Sequence, residues 1–199
     1  MPPSAFSDQK PHGSRWRFGL PALFVAMIVG ALLTWGGSEV VAWTNTEAFC
    51  ITCHEMRDNV YAEYQDTIHD QNRTGVRAIC ADCHVPRETV PKMIRKVKAT
   101  FELYGHFTGK IDTPEKFEAH RYDMAKKVWT EMRANDSRSC RSCHDESAVS
   151  PYLASERAQE RHKEGVDQGL TCIDCHFGIA HTEPEGELTP QELGVTIQK

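Results

Sequence analysis

The hydrophobic pattern of the chain has one long apolar run, close to the N-terminus. Positions 18–38 contain no charged residue, and a run of this length can span the hydrocarbon core of a bilayer as a helix. Basic residues precede the run, and tryptophans lie on both sides of it where they suit the two membrane interfaces. These are Lys10, Arg15 and Arg17, and Trp16, Trp35 and Trp43. The pattern predicts a single transmembrane anchor at 18–38 with segment 1–17 in the cytoplasm and the rest of the chain outside.

A cleaved signal peptide is the alternative for this run. Val40-Val41-Ala42 loosely resembles a cleavage site with small residues. The apolar run is longer than the roughly 7–15 residues of a signal-peptide core. The length favours an anchor that is retained.

Two further helices are predicted in the middle of the chain. From Pro91 to Tyr104 the apolar residues recur on one stripe and the basic residues fall largely off it, as in a helix at a membrane interface. An ordinary basic surface helix has a similar pattern. Thr113-Pro114 has the form of an N-cap followed by proline at the first helical position, and it predicts a second helix to about Arg133.

The composition leaves little for an ordinary hydrophobic core. Hydrophobic residues make up 40% of the chain, the mean hydropathy is -0.51, and part of the apolar share is used in the anchor. The net charge of -5 gives no indication of nucleic-acid binding. The chain therefore needs something besides its own side chains to fill its interior.

The eight cysteines indicate what could fill the interior. They form four Cys-x-x-Cys-His motifs, and this pentapeptide attaches haem c through two thioethers and places the histidine under the iron. Zinc sites do not require a histidine after every cysteine pair, and a disulfide framework would scatter the cysteines. We expect four covalent haems, held by Cys50 and Cys53, Cys80 and Cys83, Cys140 and Cys143, and Cys172 and Cys175.

The motifs repeat in pairs. The first two and the last two are closely spaced, with a longer segment between the pairs, and His69 and His162 each precede the second motif of a pair by a similar distance. The expected fold is mainly α: the anchor, then a helical, loop-rich tetrahaem domain at 39–181 built as two dihaem halves, and an acidic tail at 182–199. The halves are expected at about 45–90 and 135–181, joined by a helical segment.

Histidine and methionine residues provide the candidates for the axial iron positions. The motif histidines are His54, His84, His144 and His176, and His69, His162 and His181 are the favoured ligands on the opposite side. His106 and His120 have only their positions to support them, and His12 precedes the anchor. Met56 lies two residues after His54 and could approach the first iron, so the choice between His54 and Met56 stays open.

At these residues the sequence resembles the NapC/NirT family of membrane-anchored tetrahaem cytochromes c. The resemblance rests on the anchor, the four motifs at these spacings, the form Cys-x-x-Cys-His-x-Met from Cys50 to Met56, and the stretch from Thr108 to Arg121. That last stretch is most similar to the branch that serves periplasmic nitrate reductase.

The resemblance implies particular residue roles. Met56 would ligate the first haem in place of His54, beside a quinol pocket whose lysine and acidic residue match Lys96 and Glu102. Ligation would cross between the halves, with His69 on the fourth haem and His162 on the second, and His181 would complete the third. Arg87 stands where many relatives have a histidine, which excludes a ligand there.

The resemblance also implies a function and a location. We expect a single-pass protein of the inner (cytoplasmic) membrane with its haem domain in the periplasm. It would oxidise membrane quinol and pass the electrons to a periplasmic reductase or its cytochrome subunit, with nitrate reductase as the first expectation. Nitrite, sulfoxide or amine-oxide reductases are alternative partners. A terminal multihaem reductase and a passive relay between soluble proteins are the competing classes of function.

Overall fold

The computed structural model describes residues 19–144 and 155–185. Segment 1–17, His12 and most of the tail at 182–199 lie outside the described residues. Within these two ranges the secondary structure is helical and contains no strand, so the mainly α expectation is confirmed. The chain divides into one unit that ends at Trp43 and a second that begins at Thr44.

The first unit is described by one helix, α1, Gly19–Trp43. It is long and apolar enough to cross a membrane, with no side chain buried, and its 25 residues extend about 37 Å at 1.5 Å per residue. The helix runs five residues beyond the predicted end at Ser38. Glu39 therefore lies inside the helix, where the bilayer interface can hydrate it.

The second unit contains short helices around the cysteine motifs and three longer ones. In chain order they are α2 (Glu47–Cys50), a π-helix (Met56–Tyr61), α3 (Ala62–Tyr64), α4 (Cys80–His84), α5 (Thr89–Phe107), α6 (Pro114–Ala134), α7 (Arg138–Arg141), α8 (Glu156–Asp167) and a 3-10 helix (Cys172–Asp174). The helices predicted at 91–104 and 114–133 are confirmed as α5 and α6. Thr113 caps α6 by accepting a hydrogen bond from the Lys116 N–H at 3.3 Å.

Few apolar side chains are buried in the second unit. Among the described residues they are Tyr64, Phe117, Trp129 and Ile173. A domain of this length normally encloses a far larger set. The arrangement agrees with the composition, because porphyrin rings held between the helices would supply the missing apolar volume.

A buried arginine links three parts of this unit. Arg121 of α6 is 8% exposed and donates to Glu63 at 2.6 Å and to Glu118 at 2.7 Å. It also donates to the Thr182 carbonyl at 3.3 Å. Because a buried charge needs this complete pairing, Arg121 holds α3, α6 and the segment after His181 together.

Candidate functional site

Each cysteine motif sits on a short helical turn. In the third and fourth motifs the histidine N–H donates to the carbonyl of the first cysteine, from His144 to Cys140 and from His176 to Cys172, both at 2.8 Å. This i to i−4 bond is the α-helical one. A helical turn brings the two thiols and the histidine of a motif to one side, as two thioethers and one axial ligand of the same haem require.

The four motifs contact one another in chain order. The first motif meets the second, because helices α2 and α4 contact each other. The second meets the third, because helices α4 and α7 contact each other. The third meets the fourth where the Ile173 N–H donates to the hydroxyl of Ser137, the residue before α7, at 3.1 Å. The motifs therefore form a continuous row from first to fourth.

Three motif histidines each face one of the favoured distal histidines. The ring centres are 6.2 Å apart for His84 and His181, 6.1 Å for His144 and His69, and 5.8 Å for His176 and His162. Two imidazoles on opposite sides of one metal have ring centres about 6 Å apart, because each metal–nitrogen bond is about 2 Å and each ring centre lies about 1 Å behind its nitrogen. These pairs fit axial ligation of a haem iron.

The pairing differs from the crosswise arrangement that the resemblance implies. The structure brings His69 to the third motif, His162 to the fourth and His181 to the second. The proximity of the rings favours these pairs over the expected assignment of His69 to the fourth haem, His162 to the second and His181 to the third. His162 pairs within its own half because α8 ends at Asp167, five residues before Cys172. His69 and His181 still cross between the halves.

Hydrogen bonds orient two of these distal histidines. The Nδ1 of His162 lies 2.7 Å from the Ala158 carbonyl, and that of His181 lies 3.1 Å from the Val60 carbonyl. A carbonyl only accepts, so each Nδ1 carries the proton and each Nε2 keeps its lone pair. A histidine that ligates a metal is commonly held by such a bond from its other nitrogen.

His69 is positioned through its backbone. The Tyr64 hydroxyl donates to the His69 carbonyl at 3.0 Å and also to the Ala78 carbonyl. The Ala78 N–H donates to the same His69 carbonyl at 3.0 Å. Burial raises the pKa of Tyr64 to about 12. The His69 Nδ1 is buried and has no hydrogen-bond partner among the described residues, which a metal ligand or its second shell would explain.

Electrostatics favour neutral imidazole in the second pair. Burial, and after it the proximity of His181, lowers the pKa of His84 to about 4. Burial also lowers the pKa of His181, against the opposing effect of Glu63. Since only the neutral ring can donate a lone pair to iron, both residues are in the form that ligation needs.

The first motif has a different environment. His54 faces His106 of α5 at 6.1 Å between ring centres. Glu55 between them is 3% exposed, whereas Met56 begins the π-helix and is 40% exposed. The sequence supports His106 only by its position and assigns no role to Glu55. The position of Glu55 directly after the motif histidine His54 is the sequence feature that could have identified it.

The two quinol-site candidates on α5 face different partners. Lys96 donates from Nζ to the Thr44 carbonyl at 2.8 Å and to the Thr44 hydroxyl at 3.0 Å. Burial lowers the pKa of Lys96, and the bonds to Thr44 hold its ammonium on the segment that leads into the first motif. Glu102 forms an ion pair with Arg95 at 3.0 Å and is half exposed. Six residues apart, Lys96 and Glu102 point about 120° away from each other around the helix.

Comparisons with known proteins show the family of the chain. The family model of the NapC/NirT cytochrome c family, N-terminal region, matches residues 14–186. The chain is 52% identical over 171 residues to the denitrification system component NirT of Stutzerimonas stutzeri, with 85% of each chain covered. It is 51% identical over 170 residues to the cytochrome c-type protein NapC of Escherichia coli (strain K12), again with 85% of each covered.

A further relative has a lower sequence identity to the chain. The cytochrome c-type protein NapC of Paracoccus pantotrophus is 46% identical over 170 residues, which cover 81% of this chain and 72% of that protein. No solved structure gives a significant match. The match of the family model over most of the chain, together with these identities, shows that the chain belongs to the NapC/NirT cytochrome c family and is an electron-transfer protein that carries covalently bound haem c.

Proposed function

We propose that the protein is a membrane-anchored quinol dehydrogenase that takes electrons from membrane quinol and passes them to a periplasmic reductase. The observation that carries this proposal is the row of four cysteine motifs, with Lys96 of helix α5 bonded to Thr44 on the segment that leads into the first of them. When bound, haem c supplies reversible one-electron chemistry at each position of the row. The protein residues bind the quinol, handle its protons and set the order of the haems.

Helix α5 supports docking at a membrane surface. Its stripe of apolar side chains is strongly exposed, with exposed fractions of 54% to 73%. The stripe consists of Val90, Ile94, Val97, Phe101 and Tyr104. Residues at these spacings lie on one face of a helix, and such a face is stable when it enters the headgroup region of a bilayer. A lipid quinol in that region would reach α5 without entering bulk water.

Lys96 is the residue best placed to act on the quinol. Its ammonium can hold a quinol oxygen by exchanging its bonds to Thr44. A positive charge beside a quinol hydroxyl stabilises the deprotonated form, which gives up electrons more readily. We rank Glu102 below Lys96 as a quinol-site residue, because an ion pair with Arg95 holds its carboxylate.

Quinol-dependent reduction tests the proposal. The purified protein in detergent should show haem absorption changes on addition of a soluble ubiquinol or menaquinol analogue, and should then be reoxidised by purified periplasmic nitrate reductase with nitrate. Reduction by dithionite but by neither quinol would identify a relay between soluble proteins. Turnover of nitrite or hydroxylamine by the protein alone would identify a terminal reductase.

Nitrate reductase is proposed as the partner from two observations. The stretch from Thr108 to Arg121 is most similar to the nitrate reductase branch, and two of the relatives above are named NapC. Reoxidation rates with nitrite, sulfoxide and amine-oxide reductases provide the comparison. A clearly faster reaction with one of them would replace nitrate reductase as the partner.

We also predict four covalent haems per chain, one for each motif. A thioether survives denaturation, so the colour should stay on the protein band in a denaturing gel stained for haem peroxidase. A pyridine haemochrome measurement should give four haems per polypeptide. Replacing Cys172 and Cys175 by alanine should lower the count to three, and a count below four in the unaltered protein would contradict the assignment.

A further inference from the structure

His181 lies in a part of the chain that has no helix to fix its position. The last helical element before it is the 3-10 helix Cys172–Asp174, and no helix or strand follows in the described residues up to 185. His162, by contrast, lies on α8 and bonds a carbonyl of its own helix. Because an irregular segment moves unless tertiary contacts hold it, the position of His181 depends on contacts with other parts of the chain.

The segment that contains the π-helix and α3 holds His181 at two points. At the ring, Nδ1 lies 3.1 Å from the Val60 carbonyl. At the backbone, the N–H of the next residue, Thr182, donates to the Glu63 carboxylate at 2.9 Å. Val60 and Glu63 lie three residues apart in the chain, which is about one helical turn. One turn therefore fixes both the ring and the backbone beside it.

Arg121 of α6 completes this set of contacts. Its Nη1 and Nη2 donate to the two carboxylate oxygens of Glu63, at 2.9 Å and 2.6 Å, and Nη1 also donates to the Thr182 carbonyl at 3.3 Å. Both backbone polar groups of Thr182 are thus bonded by this pair. Burial opposes ionisation of Glu63, but the bonds from Arg121 and Thr182 outweigh burial and lower its pKa. The carboxylate is therefore charged, which strengthens each of these hydrogen bonds.

We infer that Glu63 and Arg121 are positioning residues that hold His181 as the distal ligand of the haem on the second motif. Both act through the backbone next to His181, and the turn that carries Glu63 presents the carbonyl that orients the ring. A ligand held by such contacts stays on its metal for a larger fraction of the time. The inference rests on covalent haem at the second motif, and not on the identity of the electron donor or acceptor.

Carbon monoxide binding measures how firmly His181 is held. In the dithionite-reduced protein, carbon monoxide occupies this haem only while His181 is off the iron, so its apparent affinity follows the fraction of dissociated ligand. In Glu63→Gln the affinity should rise about tenfold, the effect of losing a hydrogen bond to a charged group. Arg121→Lys should give a similar rise, because an ammonium does not reproduce the bidentate contact of the guanidinium.

Two further variants identify the haem and provide the control. His181→Ala should lose one low-spin signal in electron paramagnetic resonance, and the g values of that same signal should shift in Glu63→Gln. Glu118→Gln is the matched control, because Glu118 bonds the same arginine at 2.7 Å and is more than half exposed. Its side-chain hydrogen bonds in the described part of the chain go to Arg121 alone. We expect its carbon monoxide affinity to change by less than about threefold.

Three results would overturn the inference. The first is wild-type carbon monoxide affinity and wild-type spectra in Glu63→Gln and Arg121→Lys, with four haems present by the haemochrome count. The second is an equal rise in Glu118→Gln, and the third is an unchanged low-spin spectrum in His181→Ala. If Arg121→Lys incorporates fewer than four haems, Glu63→Gln alone decides. The measurement uses neither quinol nor a reductase, so its failure and the failure of the proposed function are distinguishable.

Discussion

Replacing Lys96 by glutamine is expected to slow reduction of the haems by quinol by a factor on the order of 10², the cost of losing one charged donor at a reacting oxygen. The side chain donates to Thr44 beside the first cysteine motif, so its charge acts where the quinol would bind. Reduction by dithionite and the low-spin spectrum should not change, because the haem ligands are untouched. Stopped-flow spectrophotometry with a quinol analogue measures the rate.

Two variants on the same helix complete this experiment. Lys98→Gln is the matched control, because Lys98 is half exposed and pairs with Glu131 at 2.8 Å. We expect it and Glu102→Gln to change the quinol rate by less than about threefold, as exposed ion pairs contribute little. If Glu102→Gln is as slow as Lys96→Gln, the carboxylate leaves Arg95 and accepts the quinol proton. A normal rate in Lys96→Gln would place the quinol site elsewhere, in the chain between Trp43 and Phe49.

Loss of a distal histidine is expected to convert one haem in four completely from low-spin to high-spin. Alanine at position 69, 162 or 181 removes an axial ligand and leaves the thioethers and the motif histidine in place. Low-temperature electron paramagnetic resonance measures the conversion. Wild-type low-spin spectra in all three variants would show that the assigned histidines are not the ligands.

The same spectra distinguish the individual pairs. The ring planes of His69 and His144 cross at 76°, whereas those of His84 and His181 and of His162 and His176 are at 25° and 23°. Crossed imidazoles bring two iron d orbitals close in energy and give a strongly anisotropic signal, while nearly parallel rings give a rhombic one. His69→Ala should therefore remove anisotropic signal, and the other two variants should remove rhombic signal. The reverse result would contradict the pairing of His69 with His144, His181 with His84 and His162 with His176.

The local features of the fold could be predicted from the sequence. The anchor, α5 and α6 follow from apolar runs, a 3.6-residue period and the Thr113 cap, all of which act within a few residues. The end of α1 at Trp43 could not be predicted from charge, because Glu39 looked like a boundary and the helix continues through it. Hydration at a bilayer interface permits the helix to continue through Glu39, and the hydrophobic pattern of the sequence does not indicate this.

The pairing of histidines shows where local reasoning fails. His69 and His181 are candidates by repeat and position, yet they lie 75 and 97 residues from the motif histidines that they face. Nothing in their neighbours along the chain selects the third motif for one and the second for the other. Contacts such as Tyr64 with His69 and His181 with the Val60 carbonyl make the selection.

The sequence by itself determined the covalent chemistry, because a Cys-x-x-Cys-His motif is complete within five residues and needs no distant partner. It also determined the helices whose periods and caps are local. Only the tertiary structure decided the row of the motifs, the distal partner of each motif histidine, the burial of Glu55 against His106, and the contact of Lys96 with Thr44. Each of these depends on groups brought together by chain folding, and distance along the sequence carries no information about which groups will meet.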